Sequence, residues 1–154
     1  MSKLPIKRIN VLTARQKMTY KPEGLWYGFG DSWLRWVRSE MPDWEGKYLY
    51  KIHVSSSNIL QINSATDMKN FHDKYSKSEA QRNPASRAKP KIPKAWGPPE
   101  LIFWQNVAYD YAGIEITPYL SEFRMKYTWY YGWDVASGCI WRSSAITGYE
   151  EVKK

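Results

Sequence analysis

The stretch "WYYGWDVASGCIW", Trp129 to Trp141, gathers the large rings Trp129, Tyr130, Tyr131, Trp133 and Trp141 around one acid, Asp134, and a Ser137-Gly138 pair. Two readings stay open. In one, it is a turn and a core strand, with Asp134 bonding local backbone N–H groups of the "DVASG" turn. In the other it is the floor of a site, with Asp134 as the working acid and Ser137 as a hydrogen-bonding neighbour. Its last part, "CIWRSSAI" (139–146), predicts a strand in either case.

Working outward, "GIEITPY" (113–119) alternates as a strand. A helix is predicted from Glu100, with Trp104, Val107, Ala108 and Tyr111 on one face and Gly113 as its stop. Further back, "KYLYKIHV" (47–54) puts Tyr48, Tyr50, Ile52 and Val54 on one face, the period of a half-buried strand. "NILQI" (58–62) follows as a short strand or extended turn. Ser64 and Asp67 are spaced to cap a helix from Ala65, on which Met68, Phe71 and Tyr75 recur at helical intervals. "KPEGLWYGFG" (21–30) predicts a strand over Gly24–Phe29. A helix from Ser32 comes next, carrying Trp33, Trp36 and Val37 as its stripe and ending at Pro42. "RINVLTA" (8–14) is a candidate first strand. The order of elements is that of an α+β fold.

A chain of 154 residues, 43% hydrophobic and 25% charged, fits a single compact domain over 1–154. Nine Trp and twelve Tyr supply much of the apolar bulk, and each brings a polar atom that needs a partner once buried. Packing is therefore the default role for Trp26, Trp33, Trp36, Trp129 and Trp133. The formal net charge of +8 favours an anionic partner, either nucleic acid or an acidic protein. With no apolar run long enough to span a bilayer and no apolar core in "MSKLPIKRIN", a soluble cytoplasmic protein without a membrane partner is expected. One cysteine and two histidines, His53 and His72, have no zinc-binding spacing, so no metal is expected.

Between Lys77 and Pro99 the composition turns to prolines and cations, predicting a long basic loop. Arg82, Arg87, Lys89 and Lys91 are its candidate partner-binding residues, through phosphates or acidic side chains. A solvated insertion that aids solubility is the other reading of the same residues.

"KPEGLW" with the Trp33/Trp36 pair, "YLYKIHV…NILQINSATDMKNF", "WQNVAYDYAGIEITPY" and "WYYGWDVASGCIW" together resemble a family of small phage and bacterial proteins with KPxGLW and WDxASGxIW motifs, over about Lys21 to Ile146. The layout of that family is similar to a compact ADP-ribosyltransferase fold, a split antiparallel β-sandwich with flanking helices and NAD in its cleft. That resemblance implies transfer of ADP-ribose from NAD to a protein or nucleic-acid acceptor in the host cytoplasm. Breaking the nicotinamide–ribose bond calls for a carboxylate near the ribose and for cations or free N–H groups at the pyrophosphate. On this reading Lys21, Gly24, Trp26 and Tyr27 face the nicotinamide half, Gly28 allows close backbone approach, and Arg15 or Lys17 reaches phosphate. Asp134 and Ser137 are the catalytic candidates, with Glu115 in reserve. The sequence departs from the transferase pattern at two places: "INVLTARQ" lacks a histidine, and the late acid is Asp134 rather than a glutamate.

Two further classes remain. One is a catalytically silent phage protein that binds and inhibits a host protein. The other is a nucleic-acid binder that combines cations with stacking rings.

Overall fold

The computed structural model describes residues 1–2, 15–76 and 101–152. The expected strand over 8–14 and the basic loop over 77–99 lie outside these residues. In chain order the elements are β1 (Met18–Thr19), β2 (Leu25–Gly28), α1 (Ser32–Glu40), β3 (Leu49–Val54), β4 (Ile59–Ile62), α2 (Ala65–Tyr75), β5 (Ile102–Phe103), α3 (Trp104–Asp110), β6 (Gly113–Ile116), β7 (Ser137–Ile140) and β8 (Ile146–Val152), with short 3-10 turns between some of them. The result is a compact mixed helix-and-sheet protein. Its main sheet has the order β2-β7-β6-β4, and β1-β5 and β3-β8 form two smaller ladders.

The helices follow from local chemistry. The Ser64 side chain accepts from the Asp67 N–H at 3.2 Å and the Asp67 carboxylate accepts from the Asn63 N–H at 3.0 Å, so α2 starts where the spacing predicts. Its Met68, Phe71 and Tyr75 are buried. At α1 the Asp31 side chain makes no cap; it pairs instead with Arg35 one turn on, at 3.0 Å, and the helix ends before Pro42.

Three expectations need correction. The helix predicted from Glu100 begins at Trp104, because Ile102 and Phe103 are buried and pair with Met18 and Thr19 as β5. The Trp104 Nε1–H then donates to the Thr19 carbonyl at 3.1 Å, pinning the switch from strand to helix. The strand predicted over 139–146 is two strands in different sheets: the N–H groups of Trp141 and Arg142 both donate to the Ala112 carbonyl, the chain bends there, and Ile146–Val152 pairs with β3. Finally, the expected wholly antiparallel pairing holds for β2-β7-β6, β1-β5 and β3-β8, whereas β4 joins β6 in parallel.

Register across the main sheet sorts its side chains. Leu60, Ile114, Cys139 and Trp26 form one cross-strand row and belong to the larger core, with Ile62 and Ile116 two residues on. The intervening row, Gln61, Glu115, Gly138 and Tyr27, faces the other side, where Ile59 and Ile140 belong to a smaller apolar cluster.

The larger core is built of rings. Trp104, Trp129, Trp133, Trp141 and Tyr130 are all fully buried, and Trp129 meets Trp104, Trp133 and Tyr130 edge-on. Each such pair contributes about 0.5–1.5 kcal/mol beyond the area it buries. Three of the four buried indoles find acceptors: Trp104 the Thr19 carbonyl, Trp129 the His72 Nδ1 at 3.1 Å, and Trp141 the Tyr111 carbonyl at 2.8 Å. The Trp133 indole N–H has none among the described residues.

Candidate functional site

Lys21, Trp26 and Asp134, drawn from opposite ends of the sequence, meet at one place. Lys21 leaves the chain just before β2. Its Nζ donates to the Gly132 carbonyl at 2.8 Å and lies 4.6 Å from the centre of the Trp26 ring. That ring presses edge-on against Trp133, with centroids 4.8 Å apart, and Asp134 is the next residue. The apolar surroundings lower the Lys21 pKa by desolvation, and the Asp134 charge opposes that shift.

Asp134 keeps solvent access, its side chain 26% exposed, and its Oδ1 lies 3.7 Å from the Arg124 guanidinium. Arg124 in turn sits over the Tyr131 ring at 4.9 Å, and that ring is 53% exposed. Lys126, two residues on, lies over Phe123 and Tyr127. The site therefore offers cations laid on aromatic faces around one carboxylate. Cations so placed gain roughly 0.5–1 kcal/mol each at exposed positions.

The other candidates fall elsewhere. Ser137 is buried and its hydroxyl donates to the Val135 carbonyl at 3.0 Å, inside its own turn. Tyr27 faces the opposite side of the sheet from Trp26. Its hydroxyl donates to Glu115 Oε2 at 2.9 Å, and Gln61 Nε2 donates to Oε1 at 2.6 Å. Burial, and secondly the Glu115 charge, raise the Tyr27 pKa. Glu115, the reserve acid, is 6% exposed and held between these two donors. The row they form is polar, with Glu115 buried between half-buried Tyr27 and exposed Gln61, and separate from Asp134.

Gly24 serves packing, since a side chain there would come within 2.4 Å of the Ile140 carbonyl oxygen. Gly28 lies against Trp33 in the same way. Arg15 is exposed beside Gln16, whose backbone N–H donates to Gln105 and whose side chain pairs with the backbone of Glu23; Lys17 lies 3.9 Å from Glu23. Arg82, Arg87, Lys89 and Lys91 lie outside the described residues. A groove of about 170 Å³ runs between β4 and α2, lined by Gln61, Asn70, Lys74 and Tyr75 among others, and includes none of Lys21, Trp26, Tyr27, Asp134 or Ser137.

Sequence reading missed Arg124 as the partner of Asp134, Tyr131 as the ring beneath Arg124, and Tyr119 as the hydroxyl on which both charges act. The one signal for Arg124 is that "EFRMKY" (122–127) interleaves cations with rings. Nothing in its spacing points to Asp134, because the 3-10 turns at Ser121–Phe123 and Thr128–Tyr130 set that approach.

Among the described residues no group of three or more His, Cys, Asp or Glu is placed to hold a metal ion, and no helix is long and apolar enough to cross a membrane. No protein-family model, curated protein or solved structure matches this chain.

Proposed function

We propose that this protein binds a nucleic-acid strand at the surface formed by Lys21, Trp26, Arg124 and Tyr131. The observation that carries the reading is the pairing of each cation with a ring, Lys21 on Trp26 and Arg124 on half-exposed Tyr131, within a chain of net charge +8. Phosphates take the cations, and a base stacks on an exposed ring at about 1–3 kcal/mol. An acidic protein would use the cations but gain less from the rings.

ADP-ribosyl transfer is the second reading, and one observation favours it: Lys21, Trp26 and Asp134 meet as NAD recognition would require. It ranks second because Ser137 is bonded within its own turn and Glu115 lies on the other face of the sheet. Asp134, half-neutralised by Arg124, would then be the carboxylate at the ribose.

The test is a titration of labelled single-stranded DNA and RNA at low and high salt, with NAD and an acidic polypeptide as parallel arms. Strand binding that weakens steeply with salt, with the slope reduced by about 1 in Lys21→Gln or Arg124→Gln and affinity lost in Tyr131→Ala, is expected. Saturable NAD binding with release of nicotinamide, abolished in Asp134→Asn, would establish the transferase reading instead.

A further inference from the structure

The segment from Tyr119 to Asp134 holds three buried donor atoms that meet no acceptor among the described residues: the Tyr119 hydroxyl, Arg124 Nε and the Trp133 indole N–H. Such atoms are rare, since leaving a buried donor unpaired costs about 1–3 kcal/mol, and a bound water or ion is the usual resolution. These three occupy one neighbourhood. Tyr119 stacks on Tyr130 with centroids 5.4 Å apart, Trp133 lies 5.9 Å from the same ring, and the charges of Arg124 and Asp134 both act on the Tyr119 hydroxyl. Trp133 is 1% exposed, so its N–H cannot turn to solvent.

The Asp134 carboxylate reaches the outer nitrogen of Arg124 at 3.7 Å and leaves Nε unmet. Two of the three groups can only donate, and the third donates readily. What they lack is an acceptor-rich group with several oxygens. One edge of this neighbourhood is open to solvent: the Arg124 side chain is 43% exposed, Tyr131 is 53% exposed, and the two are joined by a ring contact.

We propose that Tyr119, Arg124 and Trp133 form an oxyanion site, and that a phosphate enters it by lifting Tyr131 and displacing Asp134 from Arg124. Asp134 acts as the resident competitor: it holds the guanidinium when the site is empty and repels the anion that replaces it. This deepens the nucleic-acid reading, since a backbone phosphate is the group that would enter, and in that respect it rests on it.

The experiment titrates inorganic phosphate and pyrophosphate into the intact protein, following the indole N–H signals by NMR, with the Trp133 signal assigned from its loss in Trp133→Phe. Saturable movement of the Trp133 signal is expected. Tyr119→Phe and Arg124→Gln should each weaken binding by about tenfold, the effect of losing one hydrogen bond to a charged group. Asp134→Asn should tighten it by removing the competing charge; where Trp133→Phe fails to fold, the affinities of the other three variants decide. An unmoved Trp133 signal, or weaker binding in Asp134→Asn, overturns the proposal. Oligonucleotide binding with no response to free phosphate would remove this site and leave the strand-binding surface standing. Phosphate binding without oligonucleotide binding would do the reverse.

Discussion

The hydroxyl of Tyr27 crosses Gly138 to reach Glu115. Tyr27, Gly138 and Glu115 stand opposite one another on three adjacent strands, and the hydroxyl donates to Glu115 Oε2 at 2.9 Å across the middle strand. A side chain at Gly138 would meet the Tyr27 ring at 2.6 Å. Gly138 is thus a gap that lets a tyrosine of β2 satisfy a buried carboxylate of β6.

Closing that gap should be costly. Gly138→Ala is expected to destabilise the fold by about 1–3 kcal/mol, the range for forcing extra volume into a packed site. Tyr27→Phe should cost about 1–3 kcal/mol by leaving Glu115 one donor short. Because both changes remove the same hydrogen bond, the double variant should lose less than the sum of the two. Urea denaturation of the four proteins measures this, and a neutral Gly138→Ala would show that the Tyr27 ring is not held over the glycine.

Alkaline pH should weaken the fold. Burial raises the pKa of Tyr27, Tyr75 and Tyr130 above the ordinary value of 10.0, with Glu115 adding to the shift at Tyr27 and Asp110 at Tyr75; burial also raises Cys139 above 9.0. In each case the folded pKa exceeds the unfolded one, so the native state holds its proton where the unfolded chain has lost it. Their contribution is fully present below about pH 9 and falls as pH rises, by up to about 1.4 kcal/mol per pH unit per group. Denaturation midpoints should therefore be flat near neutrality and decline above pH 9 to 10. A midpoint that rises with pH in that range would contradict the burial of these groups.

Cys139 should be silent in the native protein. It is fully buried on β7, and desolvation pushes its thiol pKa up, so the reactive thiolate is scarce. As the chain has a single cysteine, a thiol reagent reports on this site alone. Labelling should be negligible in buffer and appear in step with global unfolding across a urea series. Rapid labelling in buffer would mean that β7 opens locally.

How much of this was legible in the sequence depends on how local each cause is. Helix α2 could be read because Ser64, Asp67 and the Met68/Phe71/Tyr75 stripe all lie within one stretch. The split between β7 and β8 could not, since the bend at Trp141 is fixed by the Ala112 carbonyl, from another part of the chain. For the same reason local spacing predicts helix at Ile102 and Phe103: their partners, Met18 and Thr19, are remote. At the site, Lys21, Trp26 and Asp134 stood out through their motifs. Arg124 did not, because only the folded path of residues 121–134 carries it to Asp134. The reserve acid Glu115 was singled out, but its donors Tyr27 and Gln61 come from strands whose register a lone sequence leaves open.

The four buried tryptophans give a last prediction, which separates packing from hydrogen bonding. Trp141 and Trp133 are equally enclosed, at 0% and 1% exposure, but the Trp141 indole N–H donates to the Tyr111 carbonyl at 2.8 Å while that of Trp133 meets no acceptor among the described residues. Replacing either by Phe removes similar volume and leaves a similar void, so the cavity terms should be close. Trp141→Phe additionally loses a hydrogen bond and strands the Tyr111 carbonyl, a further cost of about 1–3 kcal/mol. Trp133→Phe removes a donor that is already unpaired, which recovers part of its desolvation penalty. Trp133→Phe should therefore be the milder change in phosphate-free buffer, by at least about 1 kcal/mol. Added phosphate should narrow that gap, because binding to the native state stabilises the unmodified protein and Trp141→Phe, whose anion site is intact, more than Trp133→Phe. Equal losses in phosphate-free buffer would mean that the Trp133 N–H has an acceptor in solution, such as a resident water, before any anion arrives.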